Sequence, residues 1–565
     1  MKSLTYPVIL FSLLTNTLFG ASWVVSPGQS LQSAIDAAVA GDNITVQSGG
    51  YDENITITKG LDIRGVGVVS VTGTLSITDT ALPVYIADIN FGKEGATSMT
   101  LSGADQDVRM DRCSLALQGD FSMTGGEFYG YKNTFTNNVT FDAADWTFQR
   151  TTVDGDLTVT GVSTSKFIAS NAKNFSHTGG ECTIFQSDVH IYTTVDVRPQ
   201  SAKSWIAYSS LCFADVYGAS EIVGNHFVLS GYDEMGYKYV SGNGVAANEN
   251  PLVSLTNSGG QITMRNNVLE YLPIIILAAQ SFAANRFTYN GVSQVWNYPT
   301  TSNFYFDSRY GIKLNSGAGL TQIFNNTLCS QGPERGIFID NQPGACEVRN
   351  NTICVPETER FSSVSSFNFS SSYLTSIDDG VSFFNNDGNM LVTLQRFAAD
   401  FALLIGDNRN INYVYPGLRE RPSYIYPGTD LSTSVSADFY TKYSIQSNSS
   451  QSVITNNLVA TSSINGGVQL NNATGSPIFE STDFDLPQPY FTTDAAIVDL
   501  GTADIIFNDI DGSLNDIGAY GGHSYDPTGR TTTNPVILSG AVSPLYVKRG
   551  GSVTVNARAA VVAEP

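Results

Sequence analysis

One spacing constrains this 565-residue chain more than anything else in it. A small polar residue, often Asn, is followed two positions later by an apolar one, and the pair returns along most of the chain. The pairs are Cys113 and Leu115, Asn133 and Phe135, Thr151 and Val153, Ser165 and Phe167, Ser187 and Val189, Ser209 and Leu211, and Asn225 and Phe227. They continue as Asn267 and Leu269, Asn285 and Phe287, Asn326 and Leu328, Asn351 and Ile353, and Asn457 and Val459. Their first members are separated by 20, 18, 14, 22, 22, 16, 42, 18, 41, 25 and 106 residues. A recurrence near twenty belongs to a solenoid, in which each short unit hides its apolar side only by lying on the next. Leucine-rich repeats of similar length need recurring Leu positions that are missing here. In a parallel stack, equivalent residues lie about 4.8 Å apart, so inward apolar side chains form columns. Asn at the turns is expected to adopt left-handed geometry and bond its equivalent in the next coil.

Composition agrees with many short strands joined by tight turns. Only 14% of residues are charged, and 52 are Gly, with Ser, Thr and Asn abundant. The formal net charge is −22 without a Lys/Arg cluster, which argues against nucleic acid as a partner. An acidic surface suits Ca²⁺ or neutral glycans better than polyanionic sugars. Residues 1–21 read as a signal peptide: Lys2, an apolar run from Val8 to Phe19, then Gly20, Ala21 and Ser22. No later run is long enough to cross a bilayer as a helix, and the most apolar, Pro273 to Ala279, has the length of a strand.

After that leader, Leu31, Ile35 and Val39 recur at helical spacing, with Ser30 as N-cap and Gly41 as stop. Short alternating runs follow: Ile44 to Val46, Ile55 to Ile57, and Leu61 to Ile63. A helix over the first coil blocks edge-to-edge association of its strands. The stretch Pro27-Gly28, Leu31 to Ala38, Gly41 to Val46 and Gly49 to Ile57, with Tyr51 and Glu53, closely resembles the N-terminal cap and first coils of pectin-lyase-like proteins. That resemblance covers about forty residues. It implies an all-β, right-handed parallel β-helix with an N-terminal capping helix. It does not imply one activity, because that superfamily includes lyases, hydrolases, epimerases and non-catalytic surface proteins.

The expected organisation is a β-helix over residues 22–470, interrupted at 231–249, 290–310 and 356–450, then a terminal module at 471–530 and a β-rich tail at 531–565. The first interruption carries Tyr232, Tyr237 and Tyr239. The second carries Trp296, Tyr298, Phe304, Tyr305 and Arg309. The third carries Tyr413, Tyr415, Arg419, Arg421, Tyr424 and Tyr426. Insertions on a rigid scaffold are where binding residues gather. Trp296, Tyr298 and Tyr305 are therefore candidates for stacking on sugar rings, and Arg309, Arg419 and Arg421 for pairing with uronate carboxylates. The competing reading is that these side chains seal the insertions against the stack.

Ser476 to Phe479, Asp494 to Gly501 and Asn515 to Gly522 resemble the terminal module of a bacterial surface β-helix family with variable C-terminal anchors. In that family an Asp-Ile-Gly-Ala-Tyr signature closes the β-helix. The resemblance implies a secreted or surface-attached bacterial protein and names no reaction. Asp509, Asp511, Asn515 and Asp516 surround Gly512, a spacing that fits either a Ca²⁺ loop or an Asx-turn. Residues from Pro535 to Ala559 resemble the opening of an Ig-like sandwich, in too few residues to close one. A tail that adds to the edge of the stack is the alternative.

The six cysteines are Cys113, Cys182, Cys212, Cys329, Cys346 and Cys354. No Cys-x-x-Cys pair points to zinc. Cys329 and Cys354 each lie three residues after a repeat Asn, so adjacent coils would stack them. Cys346 is a competing disulfide partner, and free thiols are the third reading. Arg419-Glu-Arg421-Pro422 lacks the ordered arginines of the superfamily's lyases. Asp378-Asp379-Gly380 faintly resembles a polygalacturonase step without its His and Arg-x-Lys partners, and it reads rather as a turn. Neither a serine-hydrolase elbow nor a zinc-protease helix nor a phosphate loop is present. Two classes remain: a non-catalytic adhesive or glycan-binding surface protein, and a carbohydrate-active enzyme.

Overall fold

The computed structural model describes residues 20–562 with interruptions, the longest being 228–252, 355–363, 405–423 and 544–553; over 270–310 and 354–443 it describes the backbone of strands alone. The chain divides into two compact units, residues 1–134 and 135–565. Both are parallel β-solenoids.

In the first unit, Ser22–Val25, Asn43–Tyr51, Asp62–Val71, Val84–Ala87, Asp107–Asp111 and Glu127–Tyr131 pair successively in parallel. Ile55–Ile57, Leu75–Thr78, Met99–Ser102 and Phe121–Thr124 form another parallel row. The inward positions are apolar and dry: Ile57, Val71, Ile77, Leu101 and Val108 are fully buried. A helix, Leu31–Ala37, covers the first coil, and Ser30 caps it as expected by accepting from Ser33 N. Glu53, from the next coil, accepts from Leu31 N and Gln32 N and so satisfies two more of the helix's free amides. The expected apolar face needs one correction. The helix ends at Ala37, before Gly41; Val39 lies beyond it, 65% exposed, and Ala38 is buried instead.

In the second unit, one row runs through Val139–Asp142, Thr152–Thr160, Asn171–Thr178, Asp188–Asp196, Ala214–Tyr217, Val253–Thr256 and Tyr310–Asn315. It continues through Arg335–Ile339 and Tyr443–Ser447 to Ile464–Asn465. A second row runs from Asp145–Gln149 to Val468–Leu470. The interruptions contain antiparallel pairs of their own. Ile275–Ala279 pairs with Ser302–Phe306, and Asn285–Tyr289 with Val292–Trp296. Ser372–Ile377, Gly380–Asn385, Met390–Phe397 and Asp400–Leu404 form a four-stranded sheet. Between Glu270 and Tyr310 the chain leaves the parallel stack, so this interruption is wider than the sequence indicated.

The recurring polar residue is a hydrogen-bonded ladder. Asn225, Asn267, Asn326 and Asn351 each donate their backbone N–H to the side-chain oxygen of the next ladder residue, ending Asn351 to Asn457 and Asn457 to Asn472. Thr151, Ser170, Ser187 and Ser209 continue it upstream with hydroxyl or amide acceptors. In the first unit, Cys113 N donates to Asn133 Oδ1. The irregular intervals of 42, 59 and 106 residues are still single coil steps.

Three details differ from the sequence expectation. Ser170, not Ser165, occupies the ladder; Ser165 lies on the neighbouring strand opposite Cys182. Asn285 is not in the ladder, because its strand pairs antiparallel with Val292–Trp296. The left-handed residue is the one before the ladder residue: Asn266, Asn325, Asn350, Asn456 and Asn471 have φ between 48° and 57°. In each Asn-Asn pair the first takes the strained turn and the second bonds along the stack.

Candidate functional site

Alternation on a parallel row sends every second side chain outward. In the second unit, Thr140, Thr158, Ser176 and Thr194 are register neighbours, and so are Asp142, Thr160, Thr178 and Asp196. All are at least partly exposed, and they alternate with the buried Leu157, Val159, Phe175 and Val195. Thr160 Oγ1 donates to Asp142 Oδ1 at 2.8 Å. In the first unit Thr56, Ser76 and Ser122, with Thr78 and Thr124 two places on, are at least partly exposed on strands of one parallel row. In the second unit this face is a grid of hydroxyls with carboxylates at Asp142 and Asp196, about 4.8 Å apart along the stack and about 6.6 Å along each strand.

A second outward column in the first unit is aromatic and cationic. Asp62, Tyr85, Arg109 and Tyr129 are successive register neighbours. The Arg109 guanidinium stands 5.4 Å from the Tyr85 ring and 4.8 Å from Tyr129, and Arg64 stands 4.8 Å from Tyr85. Arg109 bonds the buried Asp111 carboxylate, which also accepts from Tyr85 Oη. Guanidinium groups occupy the ring faces, so this column ties coils together by cation–π contact and offers a ligand ring edges and polar tips.

The C-terminal residues add no further coil among those described. They run back along the left-handed turns of the second unit. Asn456 Nδ2 donates to Gly501 O, and Asn350 Oδ1 accepts from Thr502 N. Asn325 Nδ2 donates to Asn515 Oδ1 and Asp516 O, and Asn266 Nδ2 to Ala519 O and Gly521 O. Farther on, Tyr208 Oη accepts from Asp526 N, and Gln186 Nε2 donates to Gly529 O and Thr532 O. The tail then forms an antiparallel hairpin, Val536–Ser543 with Thr554–Ala560. It packs on Ile168, Phe185, Trp205, Tyr208 and Val223. Arg558 lies 3.6 Å from the Trp205 ring and bonds Glu181.

The candidate Ca²⁺ residues lie in this strap. Asp509 accepts from Asp516 N and Gly522 N, and Asp511 closes a turn onto Ser513. The buried Asn515 accepts from Asn325 and donates to Phe507 O. Burial pushes the Asp516 carboxyl up to about 6, with the charges of Asp509 and Asp499 adding to it. Among the described residues no group of three His, Cys, Asp or Glu side chains is placed to hold a metal ion. Trp296 lies at the end of its strand opposite Asn285, and Tyr305 lies opposite Ile276. Tyr298, Arg309, Arg419, Arg421, the 231–249 interruption, Asp378 and Asp379 lie outside the described residues, as does most of the leader. Only two positions separate the antiparallel strands Ser372–Ile377 and Gly380–Asn385. Cys329 and Cys354 are register neighbours, whereas Cys346 is a buried free thiol, as are Cys113 and Cys182.

His177 is fully buried and points inward beside Phe175, with neither ring nitrogen bonded to a neighbouring residue. Burial holds its pKa down at about 4, against an ordinary 6.5. Between these values the unfolded chain binds the proton and the folded chain does not, so this group withdraws stability as pH falls from 6.5 to 4. The expected loss is on the order of 3 kcal/mol. In His177→Phe that part of the pH dependence should vanish, as read from urea midpoints at pH 7 and pH 4.5; equal pH slopes in the two proteins would refute it.

The outward hydroxyls and the strap-bearing Asn column were not singled out from the sequence. Both leave a trace there: Ser76-x-Thr78, Ser122-x-Thr124, Thr158-x-Thr160 and Ser176-x-Thr178 recur once per coil, and Asn doublets mark the strap. Comparison of the chain with protein-family models, with curated proteins and with solved structures found no match.

Proposed function

We propose that this chain is an exported, non-catalytic β-helix of the right-handed, pectin-lyase-like kind that attaches to an extended neutral glycan at a cell surface. The observation that carries this reading is the outward hydroxyl grid, with Thr140, Thr158, Ser176 and Thr194 in one column and Asp142, Thr160, Thr178 and Asp196 beside it. A polysaccharide presents hydroxyls at regular intervals, and a rigid row of donors and acceptors meets them without paying ordering entropy at each contact. The net charge of −22 favours a neutral polymer over a uronate-rich one. The aromatic and arginine residues of the interruptions, Trp296, Tyr298, Tyr305, Arg309, Arg419 and Arg421, are the second proposed contact region.

The test is retention of the mature protein on a panel of insoluble neutral polysaccharides, with and without Ca²⁺, and assay of the supernatant for reducing-end products, with a uronate-containing polymer alongside to report unsaturated ones. Retention without products is expected. Thr158→Glu with Ser176→Glu should reduce retention at least tenfold with an unchanged melting temperature. Trp296→Ala with Tyr298→Ala reports separately on the interruption. Products that disappear in Asp378→Asn would replace this reading with a carbohydrate-active enzyme, and failure to bind any member of the panel would remove it.

A further inference from the structure

The second unit has one stretch where successive inward positions are small and polar. Two inward columns meet at a corner of the coil, as the stacked rings of Phe141 and Trp146 show, with centroids 5.3 Å apart. One column runs Phe141, Val159, His177, Val195, Val216, Leu255. The other runs Trp146, Ser165, Cys182, Ser204, Ser220, Ile262. The side chains at this corner shrink from Phe and Trp to Val and Ser, a pair found in the coils of Ser165, Ser204 and Ser220. They grow again to Leu and Ile. A third inward column narrows at the same level, from Phe175 to Thr193 and Ala214. Trp146 reaches toward Phe175, 6.2 Å away, and so fills the coil of Ser165.

The same corner gathers polar atoms. His177, Thr193, Ser204 and Ser220 are all fully buried. Ser204 Oγ donates to Ser220 Oγ at 2.7 Å, but Thr193 Oγ1 and both His177 nitrogens have no bond to a neighbouring residue. Thr193 lies one coil on from Phe175, diagonally beside His177. Buried polar atoms are nearly always hydrogen-bonded, and a roomy polar site takes water where an apolar one stays dry.

We propose that the stack encloses a binding chamber for water, or for a solute of water's size and hydrogen-bonding capacity, at the corner lined by His177, Thr193, Ser204 and Ser220. The occupant bridges His177 and Thr193 and is exchanged only when coils open.

Oxygen-17 magnetic relaxation dispersion on the full chain tests this, since it counts waters held far longer than those at the surface. The wild type should hold at least one more long-lived water than Thr193→Val with Ser204→Leu, which fills and dries the corner. Xenon-129 NMR on the wild type needs no variant, and no xenon uptake is expected. Xenon uptake without a long-lived water would mean a dry void and overturn the proposal. An unchanged water count in the filled variant, or neither signal in the wild type, would overturn it as well.

Discussion

Asn326→Leu should destabilise the second unit by about 4 kcal/mol, near the upper end for a single substitution. Leu keeps the shape of Asn and removes its polar atoms. Asn326 Oδ1 accepts from the backbone N and the side-chain amide of Asn267, at 3.1 and 2.9 Å. Its Nδ2 donates to Met264 O, Phe324 O and Asn351 Oδ1. All of this happens at full burial. The Asn267 amide and the Met264 carbonyl would be left unpaired where no water reaches, and the ladder would be cut in the middle. Asn472→Leu provides the comparison. Asn472 is partly exposed and donates to Ile454 O, so water replaces part of what is lost, and about 1 kcal/mol is expected. Stacked repeats need not unfold in one step, so hydrogen exchange of the Asn267 and Asn351 amides should accompany the urea midpoints. Equal losses for the two variants would show that the ladder is not cooperative.

Gly521→Val should release the strap while leaving the stack standing. A Cβ at this position would overlap the Asp516 carbonyl and stand 2.8 Å from Asn325 Nδ2. Backbone, rather than a mobile side-chain end, is in the way, so the segment must lift. Lifting removes the bonds of Asn266 and Asn325 to Ala519, Gly521, Asn515 and Asp516, and uncovers Ile517 and Ala519. A loss of about 4 kcal/mol is expected for a change that combines a backbone clash with broken buried hydrogen bonds. Limited proteolysis should then cut between 499 and 522, while amides in Asn171–Thr178 and Glu181–Phe185 stay protected. Protection lost uniformly would mean that the strap and stack fold as one element.

The stack was legible because its physics repeats. A ladder needs an amide or hydroxyl at one position per coil, and an apolar residue two places on, whatever the loops between them do. The misreadings came from places where that local pattern is not unique. Ser165 with Phe167 and Ser170 with Ala172 both fit the rule, and Ala is the weaker apolar mark. Asn285 with Phe287 fits it too, yet pairing with Val292–Trp296 is decided by strand partners that a local pattern does not encode. Val39 kept helical spacing after the helix had ended. The strap is a tertiary contact and left only an indirect trace. Left-handed positions are charged at Asp88, Arg112 and Lys132 in the first unit and at Arg150 in the second. They turn neutral at Ala169, Gln186, Tyr208, Asn266, Asn325 and Asn350. From Gln186 onward these are residues that the strap bonds. Binding residues were the least legible, because an outward Thr in a strand is favoured by β-propensity whether or not it touches a ligand.

The coils are stacked in register, and distances between outward positions test that most directly. Thr140, Thr158 and Ser176 precede Lys313 by six, five and four coil steps. Pulsed electron resonance between a spin label at position 313 and one at 140, 158 or 176 should give roughly 29, 24 and 19 Å between backbones, falling by one strand spacing each time. Distances that fail to shorten in equal steps would contradict a parallel stack.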